Sequence, residues 1–267
     1  MLDGASLAKA GRARLPGAVS ARGRARPVPA AFRIRDDLRD AIASLRLRPG
    51  APILEKDLAQ AYGVSRTPVR EAMAKLVQEG LVSVFPQAGS FVAHIPYADL
   101  PEALVIRRAL EETGARLAAE QGSRDAVAAV AAALAQARAT ARGDEDAFHR
   151  ADEAFHAAIA EAAGYPGLWR VIQGVKVQVD RVRRLTLPQA GRFDRVLAEH
   201  ESVLKAIVAR DPAAAQAAMG AHIGGLLDDL AEIARAHPDS FDTVAGPERA
   251  SRPARAAGPS LPNGTTP

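Results

Sequence analysis

Apolar residues recur at intervals of three and four along the first part of the chain, which predicts short amphipathic helices. After Gly80, a natural helix end, the pattern changes to the alternation of β-strands around a turn that contains Pro86 and Gly89. Three helices followed by a two-stranded hairpin predict a winged helix-turn-helix. The predicted elements are helices over about 33–45, 55–61 and 65–79 and strands over 81–85 and 90–95.

From Asp99 onward every apolar pattern is helical, and glycine or proline separates the successive segments. Segments of this length joined by short loops predict an antiparallel bundle of about six helices, so the fold class is mainly α. The predicted helices cover about 99–121, 124–142, 143–163, 166–185, 193–210 and 212–236.

Two segments without apolar periodicity flank the predicted helices. Residues 1–30 form an Arg-rich tail, and residues 238–267 are rich in Pro, Gly, Ala, Ser and Thr, compositions that predict disorder. The sequence therefore predicts a winged-helix domain over 31–96 and a helical domain over 97–237.

Composition and charge separate the two domains further. Residues 1–96 hold 15 Lys and Arg against 8 Asp and Glu, whereas residues 97–267 hold 20 against 23. A basic first domain favours a polyanionic partner such as double-stranded DNA. The chain has no cysteine, which excludes disulfides and thiolate metal sites. It shows no apolar run long enough for a membrane span and no signal core, so we expect a cytoplasmic protein without membrane contact.

The third predicted helix has the features of a DNA-recognition helix. Val69, Met73 and Leu76 share one apolar face, which leaves Arg66 and Arg70 together on the opposite face near the N-terminus. Arginine at this position can donate two hydrogen bonds to a guanine edge in the major groove. The alternative is an ordinary solvated helix face. The adjoining turn and hairpin argue against it, because together with this helix they form the pattern of a winged helix.

Residues 47–95 resemble the winged-helix domain of GntR-type bacterial transcription regulators. The motifs that carry the resemblance are Glu55-Lys-Asp-Leu-Ala59, Gly63-Val-Ser-Arg-Thr-Pro-Val-Arg-Glu-Ala72, Glu79-Gly-Leu-Val82, Pro86 and Gly89. One departure is Leu54, where the family usually has a Ser or Thr that caps the second helix. The resemblance implies base contact by Arg66 and Arg70, with support from Lys56, Thr67 and the hairpin residues Gln87, Gly89 and Ser90. Ser65, whose hydroxyl is placed to cap the recognition helix, is counted with the same DNA-binding site.

One aspartate and three of the six histidines form a second candidate site. Asp152 and His156 are one helical turn apart, and His200 and His222 lie in two later predicted helices. Side chains of these types that project inward from three helices suit a divalent metal such as Zn, Ni or Mn. Spacing alone leaves two alternatives open: a surface ion pair between Asp152 and His156, and ordinary polar histidines.

Residues 97–236 resemble the metal-containing FCD effector domain of the FadR subfamily. The matching segments are Arg107-Arg-Ala-Leu-Glu111, Asp152-Glu-Ala-Phe-His-Ala-Ala-Ile159, Ala163-Gly164, His200 with Ala206-Ile207, and Asp211 to His222. The resemblance implies that Asp152, His156, His200 and His222 bind a metal. It further implies a small carboxylate effector for which Arg107 is a candidate partner, unless Arg107 pairs with Glu111. Tyr165, where the family often has Asn, leaves the effector's identity open.

These features predict a ligand-responsive transcription regulator, most often a repressor in such families. Two half-sites on the operator would require a homodimer, so the helical domain is also the expected dimerisation surface. A metal-dependent enzyme with an accessory DNA-binding module is the alternative from another class, but no further residue is placed as a general base. A helical scaffold with incidental DNA affinity is the third reading.

Overall fold

The structure, a computed structural model, describes residues 28–140, 144–187, 189 and 191–242. Most of both predicted tails, residues 1–27 and 243–267, lies outside these described residues. The described chain is mainly helical, with a small sheet in its first part, and this confirms the predicted fold class.

The first domain is a winged helix-turn-helix built around a three-stranded antiparallel sheet with the strand order β1-β3-β2. The hairpin of β2 and β3 was predicted, but β1 was not, because a strand of two residues carries no readable alternation. Pro52 pairs with Phe91 and Ile53 with Ser90, so β1 joins the outer side of the hairpin. The elements are α1 (Ala30–Ala43), β1 (Pro52–Ile53), α2 (Glu55–Tyr62), α3 (Arg66–Gln78), β2 (Val82–Phe85) and β3 (Gly89–Val92).

The predicted apolar face of α3 lies in the core of this domain. Val69, Met73 and Leu76 are all buried there, beside Ile34 and Leu38 of α1. The turn between α2 and α3 contains Gly63 with φ +64°, a left-handed conformation that glycine adopts without steric cost. The core therefore fixes the opposite face of α3 toward solvent.

The second domain contains seven α-helices among the described residues. The segment predicted as one helix over 166–185 divides at Lys176, whose buried ammonium contacts Glu153 and Asp180. No described helix is long and apolar enough to cross a membrane. The helices are α4 (Leu100–Gln121), α5 (Arg124–Ala139), α6 (Glu145–Ala162), α7 (Gly167–Val175), α8 (Val177–Thr186), α9 (Arg192–Val208) and α10 (Pro212–Ala236).

The link between the domains is tied to the end of the described chain. Residues 238–242, which the sequence assigned to the C-terminal tail, contain a short 3-10 helix (Pro238–Ser240) and then pair with the linker. Ile95 donates its N–H to the Ser240 carbonyl at 2.9 Å and accepts from the Asp242 N–H at 3.0 Å. Phe241 is buried and packs edge-on against Tyr97.

Candidate functional site

The N-terminus of α3 presents the predicted recognition residues to solvent. Arg66 and Thr67 are exposed in the first turn of the helix. Arg70, one turn later, is also exposed, and its Nε donates to Glu55 Oε2 of α2 at 3.0 Å. An exposed pair of this kind contributes little stability, about 0–1 kcal/mol, so Glu55 orients Arg70 without removing it from reach of DNA.

None of the three helices of this domain begins with a side-chain cap, and two of the N-cap residues bear on the sequence predictions. Ser65 occupies the N-cap position of α3, as predicted, but its side chain makes no capping hydrogen bond and is exposed. Leu54 occupies the N-cap position of α2 and cannot accept such a bond. Lys56, in the first turn of α2, is exposed on the same domain.

The tip of the hairpin holds the remaining predicted DNA contacts. Ala88 N–H donates to the Phe85 carbonyl at 3.1 Å, and Gln87 between them has φ +64°. A proline followed by a residue with positive φ is typical of a type II turn, in which glycine or asparagine is usual at the second place. Gln87 therefore keeps a long polar side chain at a position that disfavours one. Gly89 is exposed and Ser90 half-buried beside it.

The four predicted metal ligands converge on one point inside the second domain. Asp152 and His156 come from α6, His200 from α9 and His222 from α10, and all four are buried. Their candidate ligand atoms lie within 4.8 Å of one another. His200 Nε2 is 3.2 Å from His222 Nε2 and 3.5 Å from Asp152 Oδ1. The alternative of a surface ion pair between Asp152 and His156 is wrong, because both side chains are inside the bundle.

Two carboxylates outside this cluster orient its imidazoles. His222 Nδ1 lies 2.8 Å from Glu199 Oε2, and His156 Nδ1 contacts Glu111 Oε2. Because a carboxylate accepts hydrogen bonds, both contacts favour a proton on Nδ1 and a lone pair on Nε2, the atom that faces the cluster. Neither role was predicted from the sequence, where Glu111 was expected only as a partner of Arg107 and Glu199 had no predicted partner.

The protonation states of the cluster suit a cation. Burial, with the nearby His222, lowers the pKa of His200 well below its ordinary value, and burial with His156 does the same for the pKa of His222. Burial would raise the pKa of Asp152, but the positive charge and hydrogen bonds of Arg183 outweigh it and hold that pKa well below its usual range. The neutral imidazoles of His200 and His222 beside the ionised Asp152 carboxylate are donors of the kind that divalent transition metals bind.

Unsatisfied donors and acceptors provide an independent observation. Within the described residues, His156 Nε2 is buried and makes no hydrogen bond. A buried nitrogen with a lone pair and no partner costs free energy unless something else occupies it. Its position inside the cluster, 3.9 Å from Asp152 Oδ2, is therefore what a metal ligand requires.

Two arginines flank the cluster, and only one of them was predicted. Arg107 is buried and donates to Glu111 Oε1 at 2.6 Å, so the ion pair left open by the sequence is formed. Arg183 of α8 donates from both terminal nitrogens to the two oxygens of Asp152, at 2.6 and 2.5 Å. No spacing rule connects Arg183 with Asp152, because they lie on different helices.

A second group of potential ligands surrounds Lys176. His149, Glu153 and Asp180 bring their ligand atoms within 4.8 Å of one another. The Lys176 ammonium contacts both carboxylates, at 2.5 Å from Asp180 Oδ2, and lies 5.5 Å from the centre of the Trp169 ring. The lysine therefore already supplies the positive charge that these carboxylates need.

Both domains match known families over most of the described chain. The profile described as "Bacterial regulatory proteins, gntR family" matches residues 30–92, and the profile of the FCD domain matches residues 102–225. These matches agree with the two resemblances seen in the sequence.

Individual relatives give the same result. An HTH-type transcriptional regulator in an unstable DNA locus of Streptomyces ambofaciens is 36% identical over 216 residues, which cover 78% of this chain and 88% of the relative. The HTH-type transcriptional repressor RspR of Escherichia coli is 32% identical over 205 residues, which cover 76% and 90%. Among solved structures, E. coli McbR/YncC superimposes with a TM-score of 0.66 at 24% identity, over 77% of this chain and 99% of that one, which supports the fold.

Proposed function

Since the chain belongs to the GntR family of bacterial transcription regulators, we propose that it is a repressor controlled by a metal-bound ligand. Its family makes it a DNA-binding regulator and not an enzyme. The observation that carries this proposal is the convergence of Asp152 with three imidazole Nε2 atoms inside the FCD domain. The name of the E. coli relative, a repressor, supports the direction of control.

The DNA-binding role falls to α3. Its exposed N-terminal residues Arg66, Thr67 and Arg70 would enter the major groove, where the two arginines read guanine edges. Lys56 and Ser65 would contact the backbone near the helix-turn-helix. The hairpin residues Gln87, Gly89 and Ser90 lie at the tip of the wing, from where they would reach the neighbouring DNA backbone or groove.

The metal-binding role falls to the buried cluster. Asp152, His156, His200 and His222 would hold a divalent ion such as Zn, Ni or Mn, and a bound ion would supply an open position for an acidic ligand. Glu111 and Glu199 hold the ring orientation of two of the imidazoles. Such outer partners increase the basicity of the ligating nitrogen.

A small carboxylate is the effector class that this site favours. An anion would be attracted by the metal and by the positive charges nearest to it. Arg107 is hydrogen-bonded to Glu111, which contacts His156, and its charge contributes to the lowered pKa of His222; its contact with an effector stays a prediction. Replacing Arg107 by alanine and screening small carboxylates by thermal shift would test it; an unchanged shift would remove Arg107 from the effector site.

A homodimer is the proposed assembly. Helix-turn-helix regulators bind two half-sites about one helical turn of DNA apart, which a two-fold dimer matches. Exposed apolar side chains on α4 and α10, including Val105 and Leu227, support a contact surface on the helical domain. Light scattering on the purified chain should give twice the mass of one chain, and a mass of one chain would contradict the proposal.

The variant His200→Ala, alone and with His222→Ala, tests the metal-dependent control. Elemental analysis after dialysis should find bound metal in the wild type and its loss in both variants, because each removes a buried ligand. Binding to a duplex selected from random DNA by the wild type should remain measurable. His237→Ala is the matched control, since His237 lies outside the cluster. Full metal retention without His200 and His222 would refute the ligand assignment.

A further inference from the structure

Helix α8 lies between the Asp/His cluster and the winged helix and contacts both. Arg181 and Arg183 are two residues apart, about 200° around an α-helix, so they point to nearly opposite sides. Arg183 donates to both oxygens of Asp152 in the cluster. Arg181 donates from Nη2 to the Ala93 carbonyl of the winged-helix domain at 2.6 Å.

Other residues of α8 strengthen the contact with the winged helix. Val177 is buried in the apolar core of that domain, although it belongs to the helical domain in sequence. Gln178 Nε2 donates to the Gly80 carbonyl at 3.2 Å, directly after α3. The N-terminal half of α8 is therefore part of the DNA-binding domain's packing.

Arg181 is an unusual residue for an interface between domains. Its side chain is fully buried, and within the described residues its Nε has no hydrogen-bond partner. Its remaining contacts are the Ala93 carbonyl and Gln178 Oε1 at 2.8 Å, both neutral. A buried cation held only by neutral groups costs free energy. The contact is therefore specific but only weakly stabilised. A contact that must break and re-form when a helix moves needs both properties.

Open space lies on both sides of this contact. A cleft of about 570 Å³ separates α1 from α6 and α8, and its walls include Arg39 and Lys176. A second cleft of about 700 Å³ lies between the end of α3 and the helical domain, with Gln178 in its wall. Seven of the ten residues of α8 are nevertheless buried, so a movement of this helix would be passed to the atoms packed against it on both sides.

We propose that α8 transmits the occupancy of the Asp/His cluster to the winged helix, with Arg183 responding to the charge at Asp152 and Arg181 positioning the DNA-binding domain. This inference rests on the proposed metal binding. A cation held by Asp152 withdraws charge from the carboxylate and repels the Arg183 guanidinium. The Arg183–Asp152 attraction thus differs between the loaded and the metal-free protein, which is the differential interaction that a population shift requires.

Hydrogen exchange of the full-length chain, before and after addition of Zn²⁺ alone, tests the proposal. In the wild type, Zn²⁺ should raise amide exchange in residues 78–82 and 91–95, by roughly 5- to 150-fold if the coupling has its usual size. In Arg183→Met, bound zinc should be retained while this response disappears. In Arg181→Met, the same segments should exchange faster with or without zinc.

Two further variants make the result decisive. Arg116→Met, which removes an arginine of α4 paired with Glu120 outside the cluster, should respond to zinc as the wild type does. Arg183→Lys keeps the positive charge and serves if the methionine variant does not fold; it should retain part of the response. A zinc-loaded Arg183→Met with an undiminished response would overturn the proposal. Failure of the wild type to bind zinc would instead refute the metal site, and with it this inference.

Discussion

At the scale of single residues, the two predicted recognition arginines differ in how they are held before DNA arrives. Arg66 is exposed at the first position of α3, whereas Arg70 is oriented by Glu55 across the turn. Fixing a long side chain in advance lowers the entropy lost when it binds a base. Arg70 is therefore the better placed of the two for a defined base contact.

We expect Arg66→Ala and Arg70→Ala to lower the preference for a selected duplex over random DNA. Each good bidentate arginine–guanine contact contributes about 1–3 kcal/mol of discrimination, so the loss should be of that size. Competition measured by fluorescence anisotropy at constant salt gives the ratio of the two affinities. Arg124→Ala, an exposed arginine at the start of α5, is the control and should leave the ratio unchanged. Sequence preference that survives both changes in α3 would contradict the assignment.

The same scale shows what the sequence could reveal about the buried cluster. Its four members were predicted as a group, because Asp152 and His156 follow helical spacing and the family pattern includes His200 and His222. Arg183 was not, since 31 residues and a different helix separate it from Asp152. Its contact depends on how α8 is rotated against α6, which local periodicity does not specify.

At the scale of elements, most helices were predicted within a few residues, and the exceptions have tertiary causes. The break at Lys176 lies where the lysine turns inward to two carboxylates and Val177 enters the other domain's core. The strand β1 exists only because β3 offers it a partner. Each exception depends on groups distant in sequence, so apolar periodicity alone could not reveal it.

Helix α4 contributes no metal ligand, yet its rotation places Glu111 against His156. We expect Glu111→Gln and Glu199→Gln to lower zinc affinity about 10- to 100-fold, the usual effect of removing an outer-shell partner. Titration against a competing chelator measures the affinity. Glu199 is partly exposed, so its replacement keeps the test informative if the buried Glu111→Gln variant is unstable.

The matched control for this experiment is the next residue of α4. Glu112 pairs with the exposed Arg108 and lies outside the cluster, so Glu112→Gln should bind zinc as the wild type does. If Glu111→Gln and Glu199→Gln both matched this control, the two carboxylates would have no part in metal binding.

At the scale of the whole molecule, two of the contacts that join the winged helix to the helical domain stand out, beside a hydrogen bond from Arg39 to the Gln173 carbonyl. One is α8, and the other is the pairing of the linker at Ile95 with residues 240–242. The second tie was not foreseen, because the composition after residue 238 indicated disorder. Phe241 explains the difference, since this one aromatic side chain finds an apolar site beside Tyr97.

We therefore expect Phe241→Ala to destabilise the protein by about 3–5 kcal/mol, the usual cost of truncating a buried phenylalanine. Phe241 is 4% exposed, and Phe32→Ala, at a residue that is 50% exposed, is the control with the same chemical change. Urea unfolding followed by circular dichroism gives both free energies. Phe241→Ala should also raise amide exchange at residues 95–97. The Phe241 side chain holds residues 240–242 beside Ile95, so its loss weakens the two Ile95 hydrogen bonds. A loss of stability no larger than that of Phe32→Ala would mean that the described end of the chain does not secure the linker.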